Sequence, residues 1–251
     1  MSTLNVVLTS STAGPATTCV PTQEKARKTS ATLAELLCAA DKGDADAAAI
    51  LGFKYEHAYG VPVSSDTARG YFDEAAHNGN PDAMLALAAM AKSRSEKERH
   101  CRMALDECKW PHAALMLGSI YLFDDEHTKD DILKAADLLR IAVDGCIPEA
   151  TRCLAHALVL RGHPGDFPEA LRLLRAGSMR DEVDCMFMLA MIIAVNRTTE
   201  RMAEFSLLMA RAAELGSAEA RETLEKNGIA RTAVGPLAKY YSKKRARSSQ
   251  S

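Results

Sequence analysis

Apolar positions recur along this chain with a long period, and each recurrence pairs small residues with a leucine. A small residue is followed, four positions later, by Leu and then directly by another small residue. The copies begin at Ala47, Ala83, Ala113, Ala150 and Cys185, with an altered sixth copy at Ala220. Successive copies start 36, 30, 37, 35 and 35 residues apart. A period in the thirties is typical of stacked helical hairpins.

The spacing inside each copy predicts a helix with one closely packed face. Ala47, Leu51 and Tyr55 are four residues apart, so they lie on the same side of a helix. Small residues at Ala47 and Gly52 allow a partner helix to approach, while Leu51 fills the space between hairpins. Because one hairpin cannot cover its own apolar face, neighbouring hairpins must stack. Glu225 replaces the small residue in the sixth copy, which predicts the end of the array.

Proline and glycine positions mark the boundaries of about five helix-turn-helix repeats over residues 31–228. We predict that these repeats form an all-α, right-handed α-solenoid. The predicted first helices cover 45–58, 81–93, 111–123, 148–161 and 183–195. The predicted second helices cover 66–78, 96–108, 129–144, 166–177 and 199–215. Helices beginning near Thr32 and covering 218–227 are expected to cap the two ends.

The two termini differ from this array in composition. Residues 1–30 hold eleven Ser or Thr, two Pro and no helical periodicity, which predicts disorder. From Lys226 onward there are seven basic residues and no acid, although the whole chain has a net charge of −2. The preceding residues therefore carry −9, and residues 229–251 form a basic tail on an acidic body.

The residues offer no local signature of an enzyme. No phosphate-binding loop or nucleophile-base motif is present, so we predict no catalytic activity and no cofactor. Cys101 and Cys108 lie near His100 and His112, but the cysteines fall about 10 Å apart along one predicted helix, too far for a shared zinc ion. Seven cysteines without a CxxC pair indicate a reducing compartment, and we expect a cytoplasmic protein without a membrane span.

The repeat sequence resembles the Sel1-like repeat, a relative of the tetratricopeptide repeat. The first copy reads A-x-A-x-x-x-L-G-x-x-Y from Ala45, and continues through Gly60-Val61-Pro62 to Ala75-Ala76 and Gly79. The resemblance covers about residues 32–227, although the second and fourth copies are degenerate. It implies a non-enzymatic adaptor or scaffold whose first helices line a concave surface that holds a protein partner.

The resemblance also implies where such a partner would bind. Transferring the groove positions of tetratricopeptide arrays through the Leu-Gly anchor gives Phe53, Glu56, His57, Lys92, Ser119, Phe123, Arg152, His156, Phe187 and Met191. Further groove positions are Asp46, Asp82, His112, Glu149, Asp184, Glu219 and Glu222. An acidic groove with aromatic anchors would suit a basic or amphipathic peptide or helix. The acids in first helical turns are equally explained by the helix dipole, and the phenylalanines by a place in the core.

The basic tail supports a different class of function. Lys239, Lys243, Lys244, Arg245 and Arg247 form a cluster with two tyrosines. Such a cluster is typical of nuclear localisation or nucleic-acid binding, so a nuclear or nucleic-acid-associated protein is the alternative. A Ser/Thr-rich start and a basic end also occur in exported bacterial effectors. Self-association through an end helix stays open.

Overall fold

In the computed structural model, the described residues are 21–124, 127–195 and 199–226, and within these ranges the structure is helical without strands. The helices are α1 (Pro21–Lys28), α2 (Leu33–Ala40), α3 (Ala45–His57), α4 (Ser65–His77), α5 (Pro81–Met90), α6 (Arg94–Cys108), α7 (Pro111–Phe123), α8 (Lys129–Asp144), α9 (Pro148–Arg161), α10 (Asp166–Met179), α11 (Val183–Val195), α12 (Thr199–Glu214) and α13 (Ala218–Lys226). The predictions for residues 1–20 and for the basic tail fall outside these ranges.

The predicted array of helical hairpins is confirmed. Five consecutive pairs, from α3 with α4 to α11 with α12, pack as a first and a second helix. Most boundaries agree with the sequence prediction to within two residues. The exception is α5, which ends at Met90 because Ala91 turns into an extended conformation with φ −69° and ψ 140°.

The hairpins belong to two compact units, one containing residues 21–147 and the other beginning at Pro148. In the first unit α3 packs on α5 and α5 packs on α7, so the first helices form a layer of their own. In the second unit α9 packs on α11 in the same way. Candidate binding positions on first helices therefore fall on a continuous layer within each unit.

Every turn from a second helix into the next first helix uses one backbone arrangement. The residue two positions before the first helix has a positive φ, and these residues are Gly43, Gly79, Lys109, Cys146, Asp181 and Gly216. The next residue then donates its N–H to a carbonyl of the preceding helix, as Asn80 does to Ala75 at 2.9 Å. This satisfies carbonyls that the helix end leaves open, and it fixes where each first helix begins.

Two glycines set the distance between the helices of a hairpin. A Cβ atom on Gly52 would lie 2.5 Å from Cε1 of the Phe72 ring, which is fully buried on α4. A Cβ on Gly118 would lie 2.8 Å from Cγ of Leu139. The small residue after Leu therefore has its predicted role. It lets Phe72 or Leu139 lie directly against the first helix, where a larger residue would fit only by displacing that side chain.

The helix α1 corrects the prediction of disorder for residues 21–28. Its sequence, PTQEKARK, has little apolar character, and only Thr22 and Ala26 are buried. Ala26 is nevertheless 0% exposed, because α1 packs on α3 and α5 of the first two repeats. Composition alone does not indicate this helix, since its support comes from tertiary contacts.

We expect Gly52→Ala to lower the free energy of unfolding by about 1–2 kcal/mol, because overpacking against Phe72 outweighs the higher helix propensity of alanine. Gly70→Ala is the matched control, since Gly70 lies within α4 with open space around its Cβ position. It should raise stability by about 0.5–1 kcal/mol. Urea denaturation of both variants measures whether each change raises or lowers the free energy of unfolding. Equal changes in the two variants would contradict the close approach of Phe72 to Gly52.

Candidate functional site

The first helices of repeats 1 and 2 hold α1 through polar contacts at three predicted groove positions. The backbone N–H of Thr22 donates to Oδ2 of Asp82 at 2.8 Å. Lys25 Nζ donates to Oδ2 of Asp46 at 2.9 Å. Gln23 Nε2 lies 2.8 Å from His57 Nε2. We refer to the surface formed by Asp46, His57 and Asp82 as the α1 site.

Both carboxylates of the α1 site are oriented by the repeat that follows them. Asn80 Nδ2 donates to Oδ1 of Asp46 at 3.0 Å. Trp110 Nε1 donates to Oδ1 of Asp82 at 2.9 Å. Asn80 and Trp110 are each the residue directly before the next first helix. One oxygen of each aspartate is therefore held by the array, and the other accepts from α1.

The two aspartates differ in their surroundings. Asp82 is 2% exposed and accepts from the first turn of α1, where backbone N–H groups lack helical partners. The Lys25–Asp46 pair is open to solvent, with side chains 58% and 59% exposed. Exposed ion pairs contribute about 0–1 kcal/mol, so Asp82 makes the stronger contact with α1.

Glu56 places a further carboxylate next to the α1 site. Its Oε2 lies 3.5 Å from Nε2 of His57. Burial raises the pKa of the Glu56 carboxyl, and the nearby His57 opposes this shift. A half-buried carboxylate that is costly to ionise is a recognised feature of binding sites.

Other predicted groove residues of the first unit lie elsewhere. Phe53 is 3% exposed and packs edge-on against Phe72, with ring centroids 4.9 Å apart, which corrects its assignment as an exposed anchor. Lys92 follows the end of α5 and lies in a loop, because that helix is shorter than predicted. Ser119 is buried in α7, and Phe123 at the end of α7 is partly exposed.

In the second unit the predicted positions fall on α9, α11 and α13. Arg152 and His156 are buried on α9, and Arg152 Nε lies 3.5 Å from Oδ2 of Asp184 on α11. Phe187 and Met191 are partly exposed on α11. Further exposed positions are Glu149, Glu219 and Glu222. The tail residues Lys239, Lys243, Lys244, Arg245 and Arg247 lie outside the described part of the chain.

Sequence reasoning missed Asn80 and Trp110, the donors that orient the two aspartates. The sequence alone indicates only a helix boundary at both positions, because each residue precedes a proline. A signal was nevertheless present in the sequence, since Trp110 directly precedes Pro111 at a helix start, where tryptophan has only an indole N–H donor and cannot accept a capping hydrogen bond. Sequence reasoning also missed Thr22 and Lys25, which lie in the segment predicted to be disordered.

Within the described ranges, no three His, Cys, Asp or Glu side chains come together as a metal site. No helix in those ranges combines the length and apolar character needed to cross a bilayer.

Comparison with solved structures identifies the fold. A Sel1 repeat protein from Oxalobacter formigenes matches with a TM-score of 0.60 and 21% identity over 77% of this chain. A protective antigen of uropathogenic Escherichia coli strains that displays an SLR fold matches with a TM-score of 0.63 and 21% identity over 86%. The matches span 59% and 48% of those two proteins. No protein-family model and no curated protein matches the sequence.

These likenesses show that the chain has the Sel1-like repeat fold, an α-solenoid architecture of stacked helical hairpins. The resemblance drawn from the small-x-x-x-Leu-small pattern is thereby confirmed at the level of fold.

We expect Asp82→Ala to lower the free energy of unfolding by about 1–3 kcal/mol, since it leaves the buried N–H of Thr22 and the half-buried indole N–H of Trp110 without their acceptor. Glu149→Ala removes an exposed acid from the corresponding place on α9, and its effect should stay within about 1 kcal/mol. Urea denaturation followed by fluorescence of Trp110, the single tryptophan, provides the comparison. Similar losses of unfolding free energy in both variants would mean that the interaction with the helix dipole accounts for the contribution of both acids.

Glu56→Gln should stabilise the protein at neutral pH. The raised pKa means that ionisation of Glu56 weakens the folded state as pH rises above the unfolded value, so the gain should disappear in acid. Thermal unfolding at several pH values between about 4 and 7, a range that covers the titration of a carboxyl group, measures this trend. The control is Glu74→Gln, which makes the same substitution at an exposed position on α4. A gain in stability of Glu56→Gln that is independent of pH would contradict the raised pKa of Glu56.

Proposed function

We propose that this chain is a non-enzymatic adaptor that binds a basic helix or peptide of a protein partner on the first-helix face of its repeats. The observation that carries the proposal is the α1 site, where Asp46 and Asp82 each offer a carboxylate oxygen to a basic helix. Stacked-hairpin solenoids commonly use the surface lined by their repeats for binding.

The arrangement of the α1 site suits recognition because its acceptors are fixed in advance. Asn80 and Trp110 hold one oxygen of each aspartate, so the second oxygen needs little further ordering when a ligand arrives. Glu56 adds a carboxylate whose ionisation a basic side chain would favour. The site therefore combines one buried acceptor for helix N–H groups with exposed negative charge for Lys or Arg.

The proposal is tested by selecting peptides that bind the full chain from a displayed library. We expect enrichment of Lys- or Arg-containing helical sequences, with affinity that falls as salt rises, because the interaction is charge-assisted. Peptides selected in this way should lose binding to Asp46→Lys by about tenfold or more, which corresponds to about 1.4 kcal/mol.

The matched control is Asp73→Lys, which makes the same charge change on the exposed face of α4, the second helix of the same repeat. It should leave peptide binding within about twofold, since long-range charge effects are screened. Equal loss in both variants would indicate attraction to the overall negative charge, and selection of acidic or uncharged peptides would overturn the proposal.

A further inference from the structure

We infer that α1 is an intramolecular occupant of the α1 site, and that a partner helix of matching chemistry binds by displacing it. This inference rests on the proposed function and names the class of partner. Such a partner presents free N–H groups of its first turn to Asp82, a Lys or Arg to Asp46, and a small residue at the buried position that Ala26 occupies in α1.

The recognition face of α1 defines this chemistry. Thr22, Lys25 and Ala26 are spaced i, i+3 and i+4, so they share one side of the helix. Thr22 and Ala26 are its two buried residues, and Lys25 makes the ion pair with Asp46. The other charged residues turn outward, where Glu24 and Lys28 pair with each other at 2.5 Å. The site therefore contacts these three residues, and Gln23 adds one further polar contact through Nε2, 2.8 Å from Nε2 of His57.

Several features make α1 a ligand that can leave. It has eight residues, well below the roughly 12–15 at which isolated helices become even marginally stable. Its only buried apolar side chain is an alanine, and its ion pair is solvent-exposed. By contrast α3, on which it docks, contributes Leu51 and four buried alanine or isoleucine residues to the core. Departure of α1 would therefore leave the repeats intact.

The tether explains why a weak ligand still occupies the site. Four residues, 29–32, separate α1 from α2, and Thr32 is the N-cap of α2. A short flexible tether gives an effective concentration on the order of mM, so even a weak contact keeps the site filled most of the time. A competing ligand then binds with an apparent affinity reduced by the fraction of molecules in which the site is free.

The test uses the full chain with two substitutions of equal charge change. Ala26→Asp places a carboxylate at a fully buried position of α1 and should release the helix. Ala34→Asp makes the same change at an exposed alanine of α2 and should leave α1 docked. The probe is a capped synthetic peptide with the sequence of residues 21–31, PTQEKARKTSA, and a second peptide carries Lys25→Glu.

Amide hydrogen exchange first reports whether α1 opens, and peptide titration by NMR then reports binding. We expect the wild-type probe to bind Ala26→Asp at least tenfold more tightly than it binds wild type or Ala34→Asp. The Lys25→Glu probe should bind none of the three. In the wild-type chain the amides of α1 should exchange far faster than those of α3.

Each contrary outcome has a separate meaning. If α1 amides in the wild type are as protected as those of α3, α1 is a fixed part of the fold and the inference is overturned; the peptide selection with Asp46→Lys and Asp73→Lys then decides separately whether the first-helix face binds a partner. The same holds if wild type and Ala26→Asp bind the probe equally. If exchange shows α1 released in Ala26→Asp but the probe binds no variant, the site does not accept a helix in trans, and the proposed function falls as well.

Discussion

The structure depends on helices that approach each other more closely than a side chain would allow. At Gly52 the position of a missing Cβ is taken by the ring of Phe72, and at Gly118 it is taken by Leu139. This contact sets the spacing of the hairpin, and the left-handed residue before each first helix sets where the next hairpin begins. With both fixed, equivalent residues of successive repeats recur at equivalent places, which is the condition for a surface built from several repeats.

The arrangement of the α1 site follows from that regular stacking. Asn80 and Trp110 hold the same position relative to their repeats, and each reaches back to the aspartate at the second residue of the preceding first helix. The degenerate second repeat keeps this arrangement although it is the shortest. A hydrogen bond that spans two repeats thus orients the carboxylate that accepts from α1, so the stability of the array and the geometry of the α1 site share the same contacts.

The acids in the first helical turns show why one residue type can serve two purposes. A carboxylate there benefits from the helix dipole wherever it stands. Asp46 and Asp82 gain a second role because a neighbouring repeat supplies a donor to one oxygen and α1 supplies a donor to the other. Glu149 stands at the corresponding place on α9 and is exposed. Whether such an acid makes contacts beyond its own helix is therefore decided by its neighbours.

The sequence by itself determined the repeat, the helical hairpins and most of their boundaries, because the spacing of small residues and leucine is a local requirement of close helix packing. It also determined that acids begin several of the first helices. Only the tertiary structure decided that Phe53 belongs to the core, that Lys92 leaves the helix, and that residues 21–28 fold onto the first two repeats. The burial of Phe53 and the docking of residues 21–28 depend on contacts between residues distant in the chain, such as Thr22 with Asp82, and local composition does not indicate such contacts.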